Sequence, residues 1–284
     1  MTDDNAASYE VNRALWDAWT KLHAEGDFYD LASFRTGGIR LRDDEIEAVG
    51  DVTGQRLLHL QCHFGIDTLS WARLGAIVTG ADFSPAAVEL ARELAVDLGF
   101  PDARFIESNL YDLPDNLEGE FDVVYTSRGV LGWLPDIRGW ARVVAHFLAP
   151  DGRFFISEIH PVIQAFENEG VATGELRLAY PYWEHRAPLV FDVHGSYADP
   201  TADIGAHQEH GWDHGLGEIV TALIDAGLQI EWLRESPELD WSADFLVETA
   251  PASGRFRLPD DAKGELPLMF SLLAHRPVAA SGVD

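Results

Sequence analysis

The sequence predicts an α/β fold whose core is a doubly wound, parallel β-sheet. Between Arg56 and Ser84 an apolar run, a turn at Gly65, a helical stretch and a β-branched run follow one another, which is the order of a βαβ unit. Strand-like and helical segments continue to alternate, and five such strands imply a parallel sheet. The second strand ends in an acid, Asp82. Ligands of such sheets bind beyond the carboxyl ends of the strands, where an acid at this place accepts the two hydroxyls of a ribose. We therefore expect a site for an adenosine-type cofactor.

The core elements follow from local patterns, in chain order. Ser84 and Pro85 are typical of the start of a helix and Gly99 of its end, so a helix is predicted between them. A turn over 149–152 separates a helix from the fifth strand. The other predictions are strands over 57–60, 77–82, 103–106, 121–126 and 152–159, helices from about residue 67 and over 135–148, and a loop over 109–114.

Two segments lie outside this alternation. The first 50 residues are predicted to form a helical cap, because Trp16, Trp19 and His23 recur at spacings of three and four. Residues 161–210 combine four prolines with six aromatic side chains and short strand-like pieces, and we interpret them as an inserted lid.

The rest of the chain returns to the core pattern. A helix from about His214 to Gly227 and strands over 228–233 and 266–275 are predicted. The chain is thus expected to be one domain over 1–284. Its parts are a helical cap (1–50), a cofactor-binding core (51–160), a lid (161–210) and a C-terminal part of the core (211–284).

Composition limits the classes of partner. The 284 residues are 46% apolar and 11% aromatic, which is enough to bury a full core. The formal net charge is −28, so this acidic protein should repel nucleic-acid phosphates and anionic membrane surfaces, and neither is expected as a partner. Cys62 is the single cysteine, and no leader segment or long apolar span is recognised, so we expect a reduced, cytoplasmic protein. The oligomeric state stays open, with a homodimer as one option.

A series of phrases points to a known family. In order they are LLHLQCHFGIDTLSWARLGA, VTGADFS, YDLP, FDVVYTSRGVLGWLPD, EIHP and GWDHGL. Together they resemble the class I S-adenosylmethionine-dependent methyltransferases, and more narrowly a bacterial small-molecule subfamily with the variant first motif LHLQCHFG. The resemblance extends from Asn12 to His275. It implies a Rossmann-like sheet of seven strands with the seventh antiparallel, S-adenosylmethionine as cofactor with S-adenosylhomocysteine as product, and a small-molecule acceptor as partner.

The first motif departs from the family pattern. The family has an acid at the end of the first strand and three glycines after it, and these positions hold His59, Gln61, His63 and Gly65 here. Glycines at such a turn permit positive φ angles and a close approach to the ligand. Gln61 and His63 therefore either point away or join the site. Asp67 is a candidate for the carboxylate that binds the cofactor's amino group, which His59 cannot do.

The resemblance also assigns roles further along the chain. Asp82 would bind the ribose hydroxyls, and Asn109 and Leu110 would read the adenine, with the Asn109 oxygen accepting its amino hydrogens. Thr126 and Ser127 would line the methyl site. The full set of predicted cofactor residues is Gln61, Cys62, His63, Gly65, Asp67, Asp82, Phe83, Asn109, Leu110, Thr126, Ser127, Trp16 and Trp19.

Several of these residues keep a structural alternative. Trp16 and Trp19 either close the site over the cofactor, where an aromatic face favours a cation, or are core aromatics of a packing helix. Cys62 is sufficiently explained as a small apolar residue. Arg128 either belongs to the acceptor site or is a solvated side chain at a strand exit. The predicted substrate residues are Arg128, Tyr182, Trp183 and Trp212.

Methyl transfer from a sulfonium is an in-line displacement, so catalysis consists largely of alignment, and a base is needed only for an acceptor that must lose a proton. The candidates for groups at the reacting atoms are Glu158, His160, His214 and Tyr9, with Tyr9 placed near the methyl group. Each of the first three has a structural alternative. In these alternatives, Glu158 binds backbone groups, His160 fixes the exit into the lid and His214 caps its helix.

Three histidines near the end of the lid have a spacing that could hold a metal. His207, His210 and His214 have the spacing of one helical face, which could suggest zinc. Gly211 within the run and a loop before it weaken that geometry, and no metal is predicted.

The leading hypothesis is methyl transfer to an N, O or C atom of a small organic metabolite. Three alternatives remain. One keeps the fold and cofactor but performs a non-methylating sulfonium reaction such as cyclisation, and another binds the cofactor without catalysis, which the altered turn permits. A nicotinamide oxidoreductase is the third, and the missing GxGxxG argues against it.

Overall fold

The structure is a computed structural model that describes residues 5–185, 187–251, 253–262 and 264–278. Its strands, in chain order, are β1 (Arg56–Leu60), β2 (Ile77–Asp82), β3 (Arg104–Glu107), β4 (Phe121–Thr126), β5 (Leu148–Ile159), β6 (Leu189–Val193), β7 (His207–Gly211), β8 (Gln229–Ser236), β9 (Val247–Glu248), β10 (Phe256–Arg257) and β11 (Met269–His275). Its helices are α1 (Ala6–Glu25), α2 (Leu31–Arg35), α3 (Asp43–Val49), α4 (Ile66–Arg73), α5 (Pro85–Asp97), α6 (Leu113–Asn116), α7 (Ile137–Phe147), α8 (Pro161–Gln164) and α9 (Leu216–Asp225).

Seven strands form the central sheet, in the order β3-β2-β1-β4-β5-β11-β8. The five strands from β3 to β5 pair in parallel with their neighbours. β11 runs antiparallel to both β5 and β8. The prediction of a doubly wound sheet of seven strands with the last one antiparallel is therefore confirmed. Two small antiparallel pairs, β6 with β7 and β9 with β10, lie outside this sheet.

Helices cover both faces of the sheet, because the strands of a parallel core are apolar on both sides. On one face, Leu58 of β1 belongs to a cluster with Trp140 of α7 and Leu223 of α9. On the other face, Leu57 packs with Trp71 of α4. All five side chains are fully buried. This packing anchors β1 in the middle of the molecule and leaves the turn after it at the edge where a ligand can bind.

That turn has an unusual backbone. Gln61, His63 and Gly65 have φ angles of +56°, +51° and +79°. They are the three positions that the resemblance aligned with glycines, and a non-glycine residue in this conformation costs roughly 1–2 kcal/mol. Gly65 has a second constraint, because an added Cβ would lie 2.5 Å from Cε1 of Phe105 in β3. The turn thus accepts side chains at two of its three left-handed positions but not at the third.

The N-terminal helix lies over the lid, as the predicted cap requires. The side chain of Asn12 in α1 bonds to both the N–H and the C=O of His210 in β7, at 2.9 and 2.8 Å. Nε1 of Trp19 donates to the carbonyl of Gly195 at 2.8 Å. The lid contributes the β6–β7 hairpin to this contact. The domain boundaries at 50, 160 and 210 themselves stay predictions.

Local differences from the predicted elements have local causes. The predicted loop over 109–114 forms a 3₁₀ turn followed by α6, because the Asn109 side chain caps the turn by accepting the N–H of Tyr111. β5 begins at Leu148 and runs through the predicted 149–152 turn, where Asp151 takes a φ of +66°. Pairing with β11 extends β8 to Ser236. Within the described part of the chain, no helix has both the length and the apolar character that a bilayer crossing requires.

We expect Gly65→Ala to lower the free energy of unfolding by about 2–5 kcal/mol, from left-handed strain and from overpacking against Phe105. Gly99→Ala is the matched control, since Gly99 has the same φ of +79° but no heavy atom within 4 Å of an added Cβ. It should lose only about 1–2 kcal/mol. Urea denaturation of both variants measures the difference, and equal losses would show that Phe105 imposes no constraint.

Candidate functional site

A solvent-open cavity, with about 430 Å³ of empty space including its open mouth, lies beyond the carboxyl ends of β1, β2 and β3. This edge of a doubly wound sheet is where ligands bind. The lining side chains come from α1, from the turn after β1, from the ends of β2 and β3, and from the segment between β4 and α7. They are Tyr9, Gln61, Ala81, Asp82, Phe83, Ser108, Asn109, Leu110, Trp133 and Leu134. Five predicted cofactor residues, Gln61, Asp82, Phe83, Asn109 and Leu110, are thus brought together.

Asp82 organises this cavity. One carboxylate oxygen accepts the N–H of His63 at 2.8 Å and the other accepts the N–H of Ser84 at 2.9 Å. Burial raises the pKa of Asp82 to about 6, and the backbone donors oppose that rise. The carboxylate therefore joins the turn after β1 to the start of α5, while each oxygen keeps a lone pair for a ligand donor.

The side chains of Gln61 and His63 point in different directions. Nε2 of Gln61 donates to the carbonyl of Val130 at 3.1 Å, and its buried Oε1 has no partner among the described residues. The His63 ring packs against Trp16 and His23, with centroids 5.1 and 5.2 Å away. Burial lowers the pKa of His63 far below its ordinary value, so its imidazole is neutral. Gln61 faces the cavity, whereas His63 packs under the N-terminal helix.

Asn109 and Tyr9 occupy the end of the cavity that the resemblance assigns to adenine. Oδ1 of Asn109 accepts the N–H of Tyr111 at 2.9 Å, so the oxygen that was expected to meet the adenine amino group already has one donor. The Tyr9 ring lies 6.3 Å from that of Tyr111. Tyr9 therefore lies beside the predicted adenine residues, whereas the sequence-based prediction puts it near the methyl group.

The remaining residues of the cofactor turn form a hydrogen-bonded group beside the cavity. Nδ1 of His59 lies 2.8 Å from Oγ1 of Thr68, and Nε2 lies 3.1 Å from Oγ of Ser127. Oγ of Ser127 lies 3.3 Å from Oδ2 of Asp67. Burial lowers the pKa of His59 to about 3 and raises that of Asp67. His59 is therefore neutral, and the structure brings Asp67 and Ser127 together.

Thr126 and Cys62 are buried. Thr126 is fully buried, and its Oγ1 has no partner among the described residues. Cys62 packs with Phe64 and Phe105, and burial raises the pKa of its thiol. The apolar interpretation of Cys62 fits this environment.

Arg128 is held between two acids. Its guanidinium lies 2.6 Å from the carboxylate of Glu45 in α3 and 3.2 Å from that of Asp240 after β8. The Glu45 side chain is almost fully buried. The Arg128 side chain is only partly solvated, with 22% of its surface exposed, and its role at the acceptor site stays a prediction.

Trp16 and Trp19 both pack on Trp133, which lines the cavity. Their ring centroids lie 5.2 and 6.0 Å from that of Trp133. Trp19 is also buried, and its indole N–H donates to the carbonyl of Gly195 in the lid. Trp19 is therefore a core aromatic that joins the helix to the lid, and closure of the site by Trp16 stays a prediction.

Glu158 holds the backbone after β4. Its Oε1 accepts the N–H groups of Gly129 and Ile159, both at 2.6 Å. Its Oε2 accepts those of Val130 and Leu131, at 2.8 and 3.1 Å. With four backbone donors on one buried carboxylate, the geometry matches the structural alternative rather than a group at the reacting atoms.

The two candidate histidines are also engaged. Nδ1 of His160 accepts the N–H of Val162 and so caps α8 at the entrance to the lid, while Nε2 lies 3.0 Å from Glu235. Nε2 of His214 donates to the carbonyl of Leu134 at 2.6 Å. The suggestion that His214 caps α9 is wrong, because Gly215 is the cap residue and no side chain bonds there.

His214 and Glu158 do share a second, smaller cavity of about 210 Å³. The three-histidine helix that was weighed for zinc is absent from the described structure, because His207 and His210 belong to strand β7.

The predicted substrate aromatics lie in two places. The hydroxyl of Tyr182 accepts the N–H of Leu216, at the start of α9, at 3.2 Å. The Trp183 side chain is 74% exposed. Trp212 is buried, and its backbone N–H donates to the carbonyl of Gly132, next to Trp133, at 2.8 Å. A role of these three residues in binding the acceptor stays a prediction.

Sequence reasoning missed Trp133 and Glu209. Trp133 follows β4 within the recognised phrase GVLGWLP, and that place in the motif was an available signal. Glu209 lies on β7, where burial raises its pKa to about 7 and no described residue donates a hydrogen bond to it. Its Oε1 lies 3.9 Å from the Cβ position of Gly211, which in turn lies 3.6 Å from the carbonyl of Gly132. No local pattern could have placed Glu209 beside the turn that carries Trp133.

Known proteins share parts of this chain. Residues 58–154 match the sequence model of a methyltransferase domain. The ubiquinone biosynthesis O-methyltransferase of Albidiferax ferrireducens is 32% identical over 142 residues, which cover 50% of this chain and 54% of that protein. The chain thus spans about half the length of the curated relatives it matches.

Solved structures share the fold at lower identity. An S-adenosylmethionine dependent methyltransferase from Mesorhizobium loti is 22% identical and superposes with a TM-score of 0.56, covering 81% of this chain and 94% of that one. The [4+2]-cyclase SpnF is 16% identical with a TM-score of 0.51, covering 84% and 80%. Residues 58–154 are thus similar to a methyltransferase domain, and the superposition on the Mesorhizobium loti structure shows that the chain shares its fold.

Proposed function

We propose that this chain binds S-adenosylmethionine and transfers its methyl group to a small organic acceptor. The observation that carries the proposal is the position of Asp82, a buried acid at the end of β2 that lines the cavity beyond the strand ends. An acid at this place in a doubly wound sheet is suited to the two hydroxyls of a ribose. The matched methyltransferase domain covers the same strands.

The residues of the cavity fit the adenosine part of that cofactor. Asp82 would bind the ribose, and Asn109 and Leu110 would hold the adenine edge. Phe83, Trp133 and Tyr9 provide flat apolar surface for a purine. The buried Oε1 of Gln61, which has no partner among the described residues, is an acceptor for a further ligand donor.

When bound, S-adenosylmethionine supplies a methyl group on a positively charged sulfur, which is a good leaving group for displacement. The work left to the chain is to align the acceptor and exclude water, and alignment contributes roughly 7–11 kcal/mol in favourable cases. The N-terminal helix is placed for this work, because Trp16 lies against Trp133 at the cavity wall.

An oxygen atom is the proposed methylation site, because the curated relative is named as an O-methyltransferase. A hydroxyl acceptor must lose a proton, and a base acts best when its pKa is near the working pH. Among the residues around the Leu131–Trp133 turn, Glu209 has that property, since burial raises its pKa to about 7. We assign Glu209 as the candidate proton acceptor in place of Glu158.

The proposed setting follows from charge and cysteine content. A net charge of −28 favours a small-molecule acceptor over nucleic acid. The one cysteine is buried and unpaired by any disulfide, which suits a reducing cytoplasm.

Isothermal titration with S-adenosylhomocysteine tests the proposal directly. We expect saturable binding with a dissociation constant between about 1 µM and 1 mM, the usual range for enzyme ligands. Incubation with S-adenosylmethionine and a pool of hydroxylated metabolites should then release S-adenosylhomocysteine. A folded sample that binds no S-adenosylhomocysteine would refute the proposal. If the chain binds S-adenosylhomocysteine but the reaction product carries no transferred methyl group, a non-methylating reaction would be favoured.

The raised pKa of Asp82 predicts a pH dependence of cofactor binding. The ionised carboxylate is the better acceptor for ribose hydroxyls, and it is lost as the pH falls through about 6. S-adenosylhomocysteine should therefore bind about tenfold more weakly at pH 5 than at pH 8. Asp82→Asn should bind weakly at both pH values, with no dependence between them. A wild-type affinity that is constant over this range would show that Asp82 does not contact the ligand.

Glu209 and Glu158 offer a matched pair of substitutions. Glu209→Gln should leave the melting temperature and S-adenosylhomocysteine affinity near wild type and lower turnover about 10²-fold or more, since it removes the proton acceptor. Glu158→Gln should instead lower stability by about 1–3 kcal/mol, because a neutral amide cannot accept all four backbone N–H groups. Wild-type turnover in Glu209→Gln, assayed across pH 6 to 9, would exclude it as the base.

A further inference from the structure

The His59 ring is one link in a directed chain of hydrogen bonds. An ionised carboxylate only accepts, so the hydroxyl of Ser127 donates to Oδ2 of Asp67 over 3.3 Å. The Ser127 oxygen then accepts from Nε2–H of His59 over 3.1 Å. The neutral ring has no proton left for Nδ1, which accepts from the hydroxyl of Thr68 over 2.8 Å. The protonated nitrogen of His59 is thereby assigned.

Asp67 has no ion pair of its own among the described residues. The nearby guanidinium of Arg128 is in contact with Glu45 and Asp240 instead. The hydrogen bond from Ser127 is the one that the described structure gives to its carboxylate. Asp67 is half-buried, and a carboxylate there with a single neutral donor is poorly compensated, so a cationic ligand group would complete its environment.

Asp67 is also well placed relative to the nucleoside end of the cavity. It follows the left-handed turn of residues 61–65, and the same turn donates the N–H of His63 to Asp82. Asp82 therefore binds the backbone of the turn that leads directly to Asp67. A ligand whose ribose is bound at Asp82 can extend along the turn toward Asp67.

We propose that His59, acting through Ser127, positions Asp67 to bind a primary ammonium at the amino-acid end of the cofactor. His59 and Ser127 are positioning residues, and Asp67 is the binding residue. This inference rests on the proposed function, because it takes S-adenosylmethionine as the ligand. It explains a sequence in which the usual acid is absent from the end of β1. Histidine there supplies a donor to Ser127 and leaves a single negative charge, on Asp67, for the ammonium.

Two ligands separate this end of the site from the rest. S-adenosylhomocysteine has the α-amino-acid end, and 5′-methylthioadenosine has the same nucleoside without it. Isothermal titration of the full chain with both ligands measures this difference. Asp67→Asn should lower the affinity for S-adenosylhomocysteine about tenfold or more and leave the affinity for 5′-methylthioadenosine unchanged. Asp97→Asn, at an exposed surface pair with Arg35, is the matched control and should change neither.

The positioning role is tested at residue 59. His59→Leu should lower the affinity for S-adenosylhomocysteine about three- to tenfold, because Ser127 loses its donor. The affinity for 5′-methylthioadenosine should not change. His59→Gln should restore most of the affinity, since its amide N–H can take the place of Nε2–H. The His59→Leu/Asp67→Asn double variant should bind no more weakly than Asp67→Asn alone, because both changes act on one interaction.

The outcomes are distinguishable. Equal weakening of both ligands in His59→Leu would indicate a structural role and overturn the relay. Wild-type S-adenosylhomocysteine affinity in Asp67→Asn would overturn the ammonium site. A folded wild-type chain that binds neither ligand would instead refute the proposed function itself.

Discussion

The left-handed backbone of the turn after β1 is the constraint on which the whole site depends. Three alternate residues take positive φ angles there, and the chain can then reverse within five residues from β1 into α4. Asp82 holds the turn by accepting the N–H of His63, and Phe105 packs against the bare Cα of Gly65. Because of this reversal, Gln61 lines the cavity and Asp67 lies in the first turn of α4.

The N-terminal helix and the lid form a single cover over that turn. Asn12 bonds to the backbone of β7, and Trp19 bonds to Gly195 after β6. Asp17 accepts the hydroxyl proton of Ser84, which caps α5, so the same helix is tied to the core. The aromatic side chains that mark both segments in the sequence therefore pack mainly on one another. Their shared interface brings Tyr9 and Trp16 to the cavity wall.

Buried acids in this protein serve two physical purposes. Glu158 is satisfied by four backbone donors, and Glu45 forms an ion pair with Arg128 through one of its two oxygens. Both acids stabilise segments that end near the site. Asp67 and Glu209 are less well compensated, and a ligand group or a proton would improve their environment. The difference lies in the number of donors that surround each carboxylate, which no feature of the residue itself reveals.

The fold, and the cavity residues proposed to hold the nucleoside, could be predicted from patterns along the chain. Apolar runs, helix caps and turn residues are local signals, so β1, β2, β4 and α5 were predicted within a residue or two, and Asp82 followed from its place at a strand end. The three aligned glycine positions also correctly marked the three left-handed residues. Only the tertiary structure decided the roles of Glu158, Arg128 and His160, since their partners lie in elements distant in the chain. It alone placed Glu209 beside Trp133 and His59 behind Asp67, because burial and hydrogen-bond partners are set by packing between elements and leave no pattern along the chain.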